Sequence, residues 1–170
     1  MTYKTENKSK ISKKEDVVYT NEIYAKIIIN EFKPQGKILD PCAGKNNVFY
    51  NNFPKNSEKY RCEIEDNIDF FDFNNKVDWI ISNPPYSIFN QFLLKSFEVS
   101  DNVVFLIPLT KVFKNMKIET AIKKYGGIKT ILHMGTGGKI GFPFGFPTGC
   151  VHYQKNYRGT INYETIYEYF

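Results

Sequence analysis

Apolar residues first recur at helical spacing at Ile23, Ile27 and Phe32, with Tyr24 and Ile28 beside them. Thr20 stands where an N-cap would, and Pro34-Gln35-Gly36 breaks the helix. Lys37 to Asp40 reads as a short buried strand running into Pro41, followed by a helix of about two turns through 46–52. The pattern then predicts strands over 58–64 and 77–81, and a helix after Pro85 carrying Ile88, Phe89, Phe92, Leu93 and Phe97. Asn102 to Pro108 is the clearest strand, because its centre is continuously apolar between turn signals. A helical stretch over 111–124 ends at Gly126-Gly127. Strands at 128–134 and 149–155 flank a loop, 135–148, rich in Gly and Phe.

Strands alternating with helices indicate an α/β protein with an open, mainly parallel sheet. The last two strands, joined only by the Gly/Phe loop, are better read as an antiparallel pair. The 170 residues amount to about one domain, expected over 17–170, behind a mobile lysine-rich tail over 1–16. The longest apolar run, Val103 to Leu109, stops at seven residues, well short of a membrane span. The N-terminus is polar and lysine-rich, unlike a secretory signal. Three widely spaced cysteines suit neither a disulfide framework nor a zinc ribbon, so a cytoplasmic location is expected. The net charge of +5 is compatible with an anionic partner. However, 21 Lys stand against two Arg, beside 17 Asn, 19 Ile and three Ala. An AT-rich coding sequence would give that skew, so the charge by itself carries little weight.

Two segments carry chemistry. In Ile38-Leu39-Asp40-Pro41-Cys42-Ala43-Gly44, a strand ends in an acidic residue and a small-residue turn opens a helix. Such a turn presents backbone N–H groups and a carboxylate at the carboxyl edge of a sheet, where doubly wound folds bind nucleotides. It contains neither a G-x-G-x-x-G nor a P-loop, and alone reads equally well as an ordinary strand-to-helix turn. The second segment, Ser82-Asn83-Pro84-Pro85-Tyr86, follows an apolar strand directly. Two prolines fix the backbone and remove two donors, leaving carbonyls and the Asn83 side chain as acceptors beside an aromatic ring. A rigid turn needs neither that Asn nor that Tyr, whereas binding a planar amine needs both.

Asn83-Pro84-Pro85-Tyr86, some forty residues after Asp40-Pro41-Cys42-Ala43-Gly44, resembles the amino-methyltransferases that use S-adenosylmethionine, above all the N6-adenine DNA methyltransferases. The resemblance covers about residues 17–155 and implies a Rossmann-like class I methyltransferase fold. It implies catalysis by Asn83, Pro84, Pro85 and Tyr86, with Asn83 also beside the cofactor. Tyr19 and Thr20 match the segment holding the methionine carboxylate of the cofactor, and Asp40, Cys42, Ala43 and Gly44 match the cofactor turn. Glu63 matches the acidic residue on the ribose hydroxyls, and Asp69 the residue near the cofactor adenine. Phe142, Phe144 and Phe146 sit where the family places an aromatic opposite Tyr86, on the other face of a flipped base. No metal is implied, and His133 and His152 read as structural.

Three departures from the family pattern shape the expectations. Asn46 replaces the second glycine of the cofactor turn; asparagine tolerates positive φ best among the other residues. Only five residues separate Glu63 from Asp69 and only four separate Asp72 from Val77, each too few for a parallel crossover, so the usual helix and strand at 65–76 should be reduced to loop, leaving one sheet face less covered. No room is left for a separate target-recognition domain, so recognition is expected from short loops, the tail, a partner subunit or a homo-oligomer. The leading reading is adenine methylation in DNA, with DNA favoured over RNA as the partner and no membrane. The same motif also serves RNA bases and a protein glutamine amide, and a non-catalytic partner subunit is a further alternative.

Overall fold

The computed structural model describes residues 18–113 and 115–166. The lysine-rich stretch 1–16 lies outside the described residues. Four strands run parallel: β1 (Lys37–Asp40), β2 (Glu58–Arg61), β3 (Val77–Ser82) and β4 (Ser100–Pro108). They lie in the order β2-β1-β3-β4, and the sheet continues through β6 (Pro147–Lys155), β5 (Gly126–Thr136) and β7 (Asn162–Thr165). Strand β6 is antiparallel to both β4 and β5, as the short Gly/Phe connection requires, while β7 runs parallel to β5.

Helices cover both faces, which is why β4 reads as an unbroken apolar run rather than an alternation. Val103, Phe105 and Ile107 face α3 (Phe89–Val99) and α4 (Met116–Tyr125), packing with Phe92, Leu93, Ile118 and Ile122. The alternate residues Val104 and Leu106 face α1 (Glu22–Phe32) and α2 (Val48–Asn52), packing with Ala25, Ile28 and Phe49. The chain leaves β1 outward to β2 and returns on the other side to β3. The carboxyl ends of β1 and β3 therefore form a topological switch point, the place where open α/β sheets bind ligands.

The shortened interval behaves as its spacing requires. Only single 3-10 turns, Ile64–Asp66 and Phe70–Asp72, lie between β2 and β3, and residues 68–72 form no paired parallel strand. Strand β2 is consequently the sheet edge.

Several expected boundaries change. Helix α1 is capped by Asn21, not Thr20: the Asn21 side chain accepts the Ile23 N–H at 2.9 Å. The helix expected over 111–124 begins only at Met116, because Asn115 caps it and Leu109–Lys111 form a separate 3-10 turn. The strand expected over 58–64 ends at Arg61. Strand β7 was not anticipated, since its own side chains are mostly exposed and only backbone pairing marks it. Finally, 135–148 is no plain loop: Gly137–Ile140 form a 3-10 turn and Phe142 is buried in the α1-side core.

Candidate active site

The β1 turn is built by continuing the β1–β2 ladder past both strands. The Cys62 N–H donates to Asp40 O at 2.9 Å, and the Ala43 N–H to Cys62 O at 3.0 Å. The chain then turns through left-handed conformations at Gly44 (φ 64°) and Asn47 (φ 49°). The non-glycine residue at positive φ is thus Asn47, not Asn46 as the sequence suggested. The Gly44 N–H donates to Glu63 Oε2 at 2.6 Å, while Glu63 Oε1 accepts the Glu65 N–H at 3.2 Å. Glu63 therefore joins the turn to the end of β2. Tyr19 also reaches this turn: a Cβ at Gly44 would lie 3.8 Å from its ring.

A buried polar bridge ties this turn to the Asn-Pro-Pro-Tyr turn after β3. Ser82 Oγ donates to Asp40 Oδ1 at 2.6 Å. The Cys42 sulfur lies 3.1 Å from Ser82 Oγ, and its thiol donates to Asn83 O at 3.3 Å. Burial pushes the Asp40 carboxyl up to about 7 and the Cys42 thiol well above its usual range, so the thiol stays protonated. The second carboxylate oxygen, Asp40 Oδ2, is buried without a hydrogen-bond partner among the described residues. Ser82 carried no signal of its own in the sequence beyond preceding Asn83.

Asn83 is held from both ends. Its Nδ2 donates to Val18 O at 2.9 Å and to Thr20 Oγ1 at 3.2 Å, and its Oδ1 accepts the Tyr86 hydroxyl at 2.9 Å. Thr20 contacts Asn83 directly, a role that the resemblance did not supply. Asn83 Oδ1 keeps a second lone pair for another donor. The Phe144 ring meets the Tyr86 ring edge-on, with centroids 5.8 Å apart and planes at 70°. Tyr86, Phe144 and Phe146 line a cavity of about 570 Å³ together with Pro108, Thr110 and Lys111. Phe146 is exposed, whereas Phe142 packs against the core and offers no open face. Lys111 was not singled out by the sequence; it sits just beyond β4, at the same strand edge as the motif, and its Nζ donates to Tyr86 O at 3.1 Å.

The structure thus brings together Tyr19, Thr20, Asp40, Cys42, Ala43, Gly44, Glu63, Asn83 and Tyr86. The Asp69 carboxylate accepts the Phe71 N–H at 2.9 Å and lies near enough to Cys62 that, after burial and Asp40, its charge helps push that thiol up to about 11. His152 packs in the core against Trp79 and Asn102, with burial holding its pKa down to about 4. His133 bonds the Tyr163 hydroxyl at 3.0 Å. Among the described residues no group of His, Cys, Asp and Glu could hold a metal ion, and no helix is long and apolar enough to cross a membrane.

Neither protein-family models nor curated protein sequences match the chain. Solved structures do. A candidate class I S-adenosylmethionine-dependent methyltransferase of Listeria monocytogenes superposes with a TM-score of 0.63 at 15% identity, over 84% of this chain and 62% of that one. The chain has the class I methyltransferase fold. Within this fold, a type I restriction-modification methyltransferase subunit of Streptococcus thermophilus gives a TM-score of 0.66 at 15% identity, over 88% of this chain and 47% of that subunit. A candidate RNA methyltransferase of Pyrococcus horikoshii gives 0.51 at 16% identity, over 79% and 82%. This chain therefore spans less than two thirds of the Listeria protein and about half of the Streptococcus subunit. In the methyltransferase fold found here, the two turns at the switch point are those of Asp40–Gly44 and Asn83–Tyr86.

Proposed function

We propose that the protein transfers a methyl group from S-adenosylmethionine to the exocyclic N6 amine of adenine in DNA. The observation that carries this reading is the Asn83 amide, fixed with its nitrogen on Val18 and Thr20 and its oxygen toward Tyr86, beside an aromatic cavity. An adenine amine is a poor nucleophile because its lone pair is delocalised into the ring. Acceptance of its two hydrogens by Asn83 Oδ1 and the Pro84 carbonyl localises that pair on nitrogen. The residues' work is positioning and electrostatics rather than strong base catalysis. Tyr86 stacks on the flipped base, with exposed Phe146 opposite; Phe144, already edge-on against Tyr86, walls the cavity, and Phe142, being buried, is not a candidate.

The residues of the β1 turn fit the cofactor. Gly44 opens the turn without a side chain, Asp40 Oδ2 lacks a partner among the described residues, and Glu63 holds a carboxylate at the end of β2. Ile64, Ile68 and Phe71 are exposed apolar residues on the same loop as Glu63 and Asp69, suited to a flat purine ring. Bound there, the cofactor supplies an activated methyl group on a sulfonium.

Substitution Asn83→Ala is expected to lower methyl transfer at least about 100-fold, with cofactor affinity by calorimetry nearly unchanged. A fully active variant would show that the motif has another role. Labelled cofactor offered with duplex DNA, single-stranded DNA, RNA and cell extract separates the substrates. Label appearing only in protein would replace the DNA reading with the glutamine amide.

A further inference from the structure

A second cavity, of about 310 Å³, adjoins the aromatic one and shares two of its walls, Tyr86 and Lys111. Its remaining lining is mostly polar: Ser87, Asn90, Gln91 and Asn115, with Phe89. Three of these groups have no partner of matching chemistry among the described residues. The side chains of Asn90 and Gln91 make no hydrogen bond among the described residues, and the Lys111 ammonium pairs with no carboxylate there. Among the described residues the Lys111 ammonium bonds the neutral Tyr86 carbonyl and forms no ion pair, at the partition between the cavities. An uncommitted cation beside two uncommitted amides matches a phosphate followed by a base edge. Lysine meets a phosphate as a point charge, and an amide presents a donor and an acceptor together, which is what a base edge demands.

We infer that this cavity receives the nucleotide next to the target adenine on the same DNA strand. Lys111 meets its phosphate, and Asn90 and Gln91 contact the edge of its base. The inference rests on the methyltransferase reading above, because the occupant of the first cavity fixes where the neighbouring nucleotide lies. Its consequence is a sequence preference inside the catalytic body itself.

The test uses short labelled DNA strands holding one adenine flanked in turn by each of the four bases. Binding is followed by fluorescence anisotropy, and methyl transfer is measured on the same strands. The wild type is expected to favour one neighbour roughly 5- to 150-fold. Asn90→Ala and Gln91→Ala should flatten that preference, while Lys111→Met weakens all strands alike and lowers the salt slope by about one. Binding indifferent to the neighbour, no binding at all, or amide variants that weaken every strand equally would overturn the subsite. Methyl transfer without neighbour preference rejects the subsite alone. Neighbour-dependent binding without any methyl transfer rejects the enzymatic reading and keeps the subsite.

Discussion

Thr20 and Val18 hold the nitrogen of Asn83 and Tyr86 holds its oxygen, so the orientation of one amide depends on three other residues. The resemblance places Thr20 on the cofactor; the geometry places it on Asn83, and the two roles separate kinetically. Thr20→Val, which keeps the shape and removes the acceptor, should lower kcat about 3- to 10-fold, the worth of one hydrogen bond. The KM for cofactor should stay nearly constant, and Thr20→Ser should restore the rate. A rise in cofactor KM with kcat unchanged would return Thr20 to the cofactor. At Asp40 the effect is on stability. Its carboxyl is raised from 3.8 to about 7, so the folded state holds a proton that the unfolded chain releases, and stability falls as pH rises from about 4 to about 7. Buried His152 acts oppositely between about 6.5 and 4. Its contribution cancels when wild type is compared with Asp40→Asn. Denaturant titrations should therefore favour the variant increasingly from pH 5 to pH 8, by on the order of a few kcal/mol. A pH-independent difference would mean that Asp40 folds already ionised.

Among the elements, the segment joining β5 to β6 most directly shapes the aromatic cavity. A Cβ at Gly137 would lie 2.5 Å from the Phe144 carbonyl oxygen and 2.6 Å from its ring, whereas one at Gly145 would meet nothing within 4 Å. Gly137→Ala should therefore displace Phe144 from Tyr86 and reduce binding of adenine-containing strands. Gly145→Ala should leave both binding and thermal stability near wild type. Equal losses in the two variants would mean that chain flexibility, not the Phe144 position, governs the cavity. Strand β7 illustrates a different dependence. Its side chains are mostly exposed, yet Ile166 just beyond it is buried in the α1-side core, with its N–H on His133 O at 3.2 Å. Ile166→Ala should cost about 2–4 kcal/mol in chemical denaturation. Strands β3 and β4 were legible because burial on both faces imposes continuous apolar sequence, but no apolar pattern is needed for a strand held by one partner's backbone. The loop's phenylalanines looked alike in sequence; only packing separates buried Phe142 from half-buried Phe144 and exposed Phe146.

At the scale of the molecule, two cores on opposite faces clamp the sheet so that the β1 and β3 turns meet at one edge. The net charge of +5 is compatible with the proposed DNA partner, whose binding is then expected to depend on salt. With only a few phosphate contacts, DNA affinity should fall by about ten-fold or more between 50 and 200 mM salt. A salt-independent affinity would place binding in stacking alone. The sequence by itself determined the alternation of strands and helices, the loss of the element pair at 65–76, and the two chemical turns. Each of these follows from local rules: apolar period, minimum crossover length, and the rigidity of Pro-Pro. Tertiary structure decided which groups act together. Thr20 and Asn83, Gly44 and Glu63, Asp40 and Ser82, and the Lys111 wall between two cavities are contacts between segments distant in the chain. No local pattern encodes such contacts, because they arise only when strand order brings the turns to the same edge of the sheet.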